Sequence, residues 1–124
     1  MSGWRSREAR AFRSAWAGLA EALRTERHFR FHAAAAAIVV GLGLWLDVSR
    51  QDWLWLLLAI AGVWAAELIN TAVERAVDRI STDVHPLAKS AKDSAAGAVL
   101  VTAMFAVAVG AFVLGPPLWR MFFQ

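Results

Sequence analysis

At 124 residues the chain has room for one small domain. Hydrophobic residues make up 59% of it, with seven Trp and seven Phe, against roughly 45–50% in soluble domains. This excludes an ordinary soluble fold and puts the chain in a bilayer. The absence of Cys excludes disulfides and thiolate metal sites. The net charge of +3 comes from basic residues that flank apolar runs without forming a continuous face. It therefore reads as membrane topology and attraction to anionic headgroups, with no nucleic-acid partner.

Residues 5–27 predict an amphipathic surface helix. Phe12, Ala15, Trp16, Leu19 and Leu23 share one helical face, and Arg5, Arg7, Arg10, Arg13 and Arg24 surround or oppose it. A helix of this kind lies in the membrane interface. Three apolar segments follow, predicting transmembrane helices at about 29–48, 53–73 and 95–117. The first reaches spanning length only with Phe29, Arg30 and the residues up to Val48 included, Arg30 snorkelling to the interface. A signal peptide is a poor reading of it, because the charged region before it is long and no small-residue cleavage site follows. The second segment holds one charge, Glu67, and the third is uncharged and expected to end at Pro116-Pro117.

Eleven of the thirteen basic residues fall in residues 1–32 and 75–93, which must then share a side. That side is expected to be the cytoplasm, with the N-terminus inside and the C-terminus outside the inner cell membrane. The whole chain reads as a single all-α membrane domain.

The second segment contains the feature that composition does not explain. Glu67, Asn70, Glu74 and Asp78 fall within about 80° of one another on a helical face. A carboxylate inside a spanning helix costs about 2.5–3.5 kcal/mol on insertion scales. A seam of helix-joining hydrogen bonds would account for Asn70. It accounts poorly for three acids, which repel unless a cation intervenes. Carboxylates with few His and no Cys suit a hard ion such as Mg²⁺.

His85-Pro86 marks a turn, and a helix is expected to restart near Leu87. Its small residues, Ser94-Ala95-Ala96-Gly97-Ala98, would admit a close neighbour and bring Lys92 toward the stripe. Lys92 is read either as an interfacial anchor or, beside Asp93, as a phosphate contact. Glu26, just before the first apolar segment, is a second acidic candidate if Glu74 needs a companion to hold a metal. Acids, a hard metal and cationic phosphate contacts describe phosphoryl transfer. At a membrane surface the acceptor hydroxyl belongs to a lipid. No glycine precedes a lysine, so there is no Walker A loop.

The run from Glu67 to Asp78 resembles the signature helix of the prokaryotic diacylglycerol kinase family. His85 to Val99 is similar to its second signature, and the likeness runs from about Arg7 to Leu114. The resemblance implies a homotrimer with active sites shared between neighbours, ATP as donor and Mg²⁺ as cofactor. It implies Glu67 as general base, Asn70 as an orienting residue, and Glu26 and Glu74 as ligands of the metal that travels with ATP. Lys92 and Asp93 would contact the nucleotide, with Arg7 and the turn from Asp83 to His85 completing its pocket. Ser14 stands where one branch of the family has a nucleotide-contacting Tyr. Trp16, Arg30, Trp45 and Glu67 are the implied lipid contacts. Ser49-Arg50-Gln51-Asp52-Trp53 and His85-Pro86-Leu87-Ala88-Lys89 look more like the branch acting on undecaprenol than the one acting on diacylglycerol. A cation- or proton-conducting protein and an assembly subunit without chemistry are the other classes open to intramembrane acids.

Overall fold

The computed structural model describes residues 3–80 and 83–124. They form four helices and no strand: α1 (Gly3–Thr25), α2 (Arg27–Trp45), α3 (Arg50–Ile80) and α4 (Pro86–Phe123). Three of these, α2, α3 and α4, are long and apolar enough to cross a membrane.

The expected surface helix and first apolar helix are separated by a single residue. Glu26 has extended backbone (φ −102°, ψ 112°), yet its N–H bonds Ala22 O at 2.8 Å and its C=O receives Arg30 N–H at 3.1 Å. The break is sealed on both sides. Arg30 Nη1 also donates to Arg24 O (2.7 Å), satisfying one of the carbonyls orphaned at the end of α1. Only Ala22 of α1 is buried, and Phe12 and Trp16 stand exposed, so the apolar face of that helix is uncovered within the chain.

α2 ends in a Schellman arrangement. Asp47 N–H bonds Leu44 O at 3.3 Å and Val48 N–H bonds Gly43 O at 3.2 Å, while Asp47 adopts φ 53°. Ser49 then caps α3, its Oγ accepting from Asp52 N–H at 3.1 Å. At Gly43, α2 packs directly against Trp53 of α3. A Cβ there would lie 2.7 Å from the Trp53 ring.

At about 1.5 Å per residue, α3 is about 46 Å long, against about 30 Å of hydrocarbon. Its last turns therefore leave the apolar layer without breaking, and Glu67, Asn70, Glu74 and Asp78 stay on one continuous helix. α4 starts at the expected turn. Pro86 occupies its first position, and His85 Nδ1 accepts from Leu87 N–H (3.1 Å).

The end of α4 differs from expectation: the helix runs through Pro116 and Pro117 to Phe123. Each proline removes one ladder bond and crowds the carbonyl four residues back, a loss that membrane helices tolerate. Beyond them Trp119 and Phe123, one turn apart, pack with ring centroids 4.3 Å apart and carry the helix on.

α3 and α4 form the main antiparallel pair. Leu56, Ala59, Val109, Val113 and Leu114 make the buried cluster between them, with Val39 and Leu42 of α2 packed against it. Nearer the other end, Phe29 is buried against Trp64, ring centroids 5.3 Å apart. Leu100, Val101, Met104, Val107 and Phe112 of α4 remain exposed, as a bilayer-facing helix requires.

Candidate active site

Along α3 the buried residues change from apolar to polar at one level. After Leu56, Ala59, Val63 and Ala66 come Glu67 and Thr71. Glu67 is only 5% exposed. Such a carboxylate needs a donor, and His32 of α2 supplies it, Nε2 lying 3.2 Å from Glu67 Oε1. Because an ionised carboxylate can only accept, Nε2 carries the hydrogen.

Glu67, Asn70 and Glu74 open into one cleft of about 270 Å³, together with Glu26, His28 and Thr71. Ala96 and Val99 of α4 form its far wall. Of the small residues of α4 at which a close approach was expected, Ala96 lines this cleft, whereas Gly97 has open space where a Cβ would stand. Asn70 Nδ2 donates to Glu74 Oε1 at 3.3 Å, and Asn70 Oδ1 is buried with no partner among the described residues.

A second cleft of about 280 Å³ lies at the same end, between the last turn of α3 and the start of α4. It brings together Asp83, His85, Lys92 and Asp93, all expected at the nucleotide, with Asp78 and Lys89. Lys92 does approach the acidic stripe, but at its outermost member: Nζ is 2.5 Å from Asp78 Oδ1. Asp93 Oδ2 accepts from Lys89 Nζ, also at 2.5 Å. That hydrogen bond, and then the Asp93 charge, raise the Lys89 ammonium above the ordinary lysine pKa. Lys89 precedes the apolar stretch of α4 and faces water.

Other expected residues are not gathered in. Arg7 and Ser14 sit on the exposed surface of α1 and line neither cleft. Of the implied lipid contacts, Trp16 is exposed on α1 and Arg30 is engaged as the α1 cap. Trp45 is thirteen residues along α2 from His32, about 20 Å at 1.5 Å per residue, so it is far from Glu67.

Two residues of the site were not foreseen in the sequence. His32 is the first; the hint was a lone imidazole in an otherwise apolar segment, which in a membrane helix calls for a partner. Arg75 is the second. Its guanidinium reaches Glu21 Oε1 at 3.5 Å, Glu26 Oε1 at 3.3 Å and Thr25 Oγ1 at 3.1 Å, tying the α1–α2 junction to α3. Glu26 therefore reaches the cleft already paired to a cation.

Fold and site together define an integral membrane protein with an acidic cleft on its spanning helices and a mixed-charge cleft beside it. Comparison with known proteins specifies the class further. The family model for prokaryotic diacylglycerol kinase matches residues 13–114. Over 109 residues the chain is 45% identical to the undecaprenol kinase of Bacillus subtilis, covering 88% of this chain and 89% of that one. It is 43% identical over 109 residues to a diacylglycerol kinase of Synechocystis, covering 87% of this chain and 62% of that longer relative. Identity to the diacylglycerol kinase of Escherichia coli K12 is 36% over 92 residues, 74% of this chain and 75% of the relative. The chain belongs to the prokaryotic diacylglycerol kinase family, and is a multi-pass membrane lipid kinase using ATP as phosphoryl donor.

Proposed function

We propose that the protein transfers the ATP γ-phosphate to the hydroxyl of undecaprenol, with Glu67 as general base. The observation that carries the reading is the buried Glu67 carboxylate at the inner end of the cleft it shares with Glu26 and Glu74. Undecaprenol is preferred over diacylglycerol because the relative named for it is similar across nearly nine tenths of both chains.

In this scheme the lipid hydroxyl reaches Glu67 from the apolar side. Its oxygen attacks the γ-phosphorus and its proton passes to the carboxylate as the bond to ADP breaks. Asn70 holds Glu74 through its amide and keeps Oδ1 for a donor brought by the substrate complex. Lys92, Asp93, Asp83 and His85 hold the nucleotide in the neighbouring cleft.

Mg²⁺ fits the donor set. Glu26 and Glu74 offer hard oxygens to one cleft, and no group of three or more His, Asp or Glu forms a closed cage among the described residues. One or two carboxylates plus phosphate oxygens are how this ion is ordinarily held beside a nucleotide. Bound there, it would neutralise phosphate charge during transfer.

The remaining parts of the reading are a homotrimer, a surface-lying α1, an inside N-terminus and an outside C-terminus in the cytoplasmic membrane. The uncovered Phe12 and Trp16 support a surface-lying α1, and the place of Arg7 and Ser14 outside both clefts supports a site completed by a neighbour. The reading is tested with purified protein, labelled ATP, Mg²⁺ and either undecaprenol or dioleoylglycerol in detergent. Transfer to undecaprenol with the higher kcat/KM is expected. No transfer to either lipid overturns the kinase reading, and a preference for dioleoylglycerol overturns the choice of lipid.

A further inference from the structure

We propose that His32 is the positioning residue of the base, holding one oxygen of Glu67 so that the other faces the lipid hydroxyl. The inference rests on the kinase reading above and extends it to α2. Among the described residues, His32 is the only side chain found within ion-pair distance of Glu67, at 3.2 Å. The contact joins two helices across 35 positions of sequence, so it is a product of the α2–α3 packing and not of local spacing.

The two residues also belong to different hollows. Glu67 lines the acidic cleft with Asn70 and Glu74. His32 lines an apolar groove between α2, α3 and α4, whose walls include Ala36, Val39, Ile60, Val63 and Ala106. The imidazole therefore stands at the junction of the apolar groove and the polar cleft, where a lipid alcohol must present its hydroxyl. An ionised Glu67 has two equivalent oxygens and a rotating terminal torsion. With Oε1 accepting from Nε2–H, that rotation is stopped and Oε2 is left to take the proton. The same hydrogen bond supplies the donor that a buried carboxylate requires. His32 does not touch the transferred phosphoryl group in this scheme; it acts through Glu67.

Size and hydrogen bonding separate this role from simple packing. His32→Phe keeps a ring of similar volume and loses the donor. His32→Gln places an amide N–H where Nε2 stands, and His32→Asn carries the same amide too short to reach Glu67. Kinetics with ATP, Mg²⁺ and undecaprenol in detergent, with elution volume and melting temperature as fold controls, read the difference. For both Phe and Asn, kcat is expected to fall about 10- to 100-fold, the loss typical of a hydrogen bond to a charged group. KM for ATP is expected to hold within about twofold, and Gln to recover most of kcat, since the bond to Glu67 is restored. Wild-type kcat in the Phe variant, or a Gln variant as slow as Asn, overturns the positioning role while leaving the kinase reading in place. Should the Phe variant fail to fold, the Gln–Asn comparison decides alone. A wild-type protein that transfers no phosphate overturns both.

Discussion

Glu67→Gln separates chemistry from architecture more cleanly than any other single change. The residue is 5% exposed, and its one identified ion-pair partner is His32 Nε2, 3.2 Å from Oε1. Glutamine keeps the shape and an oxygen that can accept from that imidazole, so the α2–α3 contact persists. Removing a charge from apolar depth relieves a burial cost of a few kcal/mol, and weakening the His32 bond gives back a comparable amount. The two nearly cancel, and the variant is expected to melt within a few degrees of wild type. Turnover is another matter. A neutral amide cannot accept the hydroxyl proton, and general-base assistance is worth about 10²- to 10⁴-fold. The assay is initial-rate transfer from labelled ATP to undecaprenol, with ATP and Mg²⁺ varied. kcat should fall by at least about 100-fold, with KM for ATP little changed because Glu67 does not line the second cleft. A variant that is folded and turns over within about tenfold of wild type would falsify the assignment of the base.

Three other outcomes follow from the geometry. Gly43→Ala puts a methyl 2.7 Å from the Trp53 ring; overpacking of this kind costs about 1–3 kcal/mol, so thermal unfolding in detergent should come at lower temperature, whereas Gly97→Ala should leave it unchanged. Arg75→Ala removes a cation that sits 3.3 Å from Glu26 Oε1. The pair is half-exposed, so stability should change by less than about 1 kcal/mol, while half-saturation by Mg²⁺ should fall as Glu26 is freed; a rise would mean that Arg75 helps hold the metal–nucleotide complex. Finally, Glu67→Gln and Lys92→Ala subunits, each inactive alone, should regain activity when unfolded and refolded together, since a shared site would draw one intact cleft from each neighbour. No recovery in mixed oligomers would argue for a site contained in one chain.

Much of this architecture was written in local pattern. Three apolar stretches and the turn at His85-Pro86 sufficed for α2, α3 and α4. The spacing of Glu67, Asn70 and Glu74 sufficed to put them in one cleft, because a continuous α3 carries its face unchanged past the membrane boundary. The errors have equally local causes. Pro116-Pro117 reads as a stop because a proline breaks ladder bonds, but the apolar residues beyond it still favour helix in a bilayer. Lys92 was expected along the stripe without a depth; the α3–α4 register decides that it meets Asp78. The His32–Glu67 and Arg75–Glu26 contacts cross between helices and have no signature within either segment. Arg7 and Ser14, expected at the nucleotide, line neither cleft among the described residues, because both stand on the exposed surface of α1.

The one-residue gap between α1 and α2 has a mechanical side. Both flanking helices are hydrogen-bonded up to Glu26 itself, so a tilt of α1 against the bilayer surface has little other backbone in which to be absorbed. Glu26 is then a fulcrum and the 23-residue α1 its lever arm. Arg75 braces that joint from α3, holding Glu21 and Thr25 on the lever arm and the Glu26 carboxylate at the pivot.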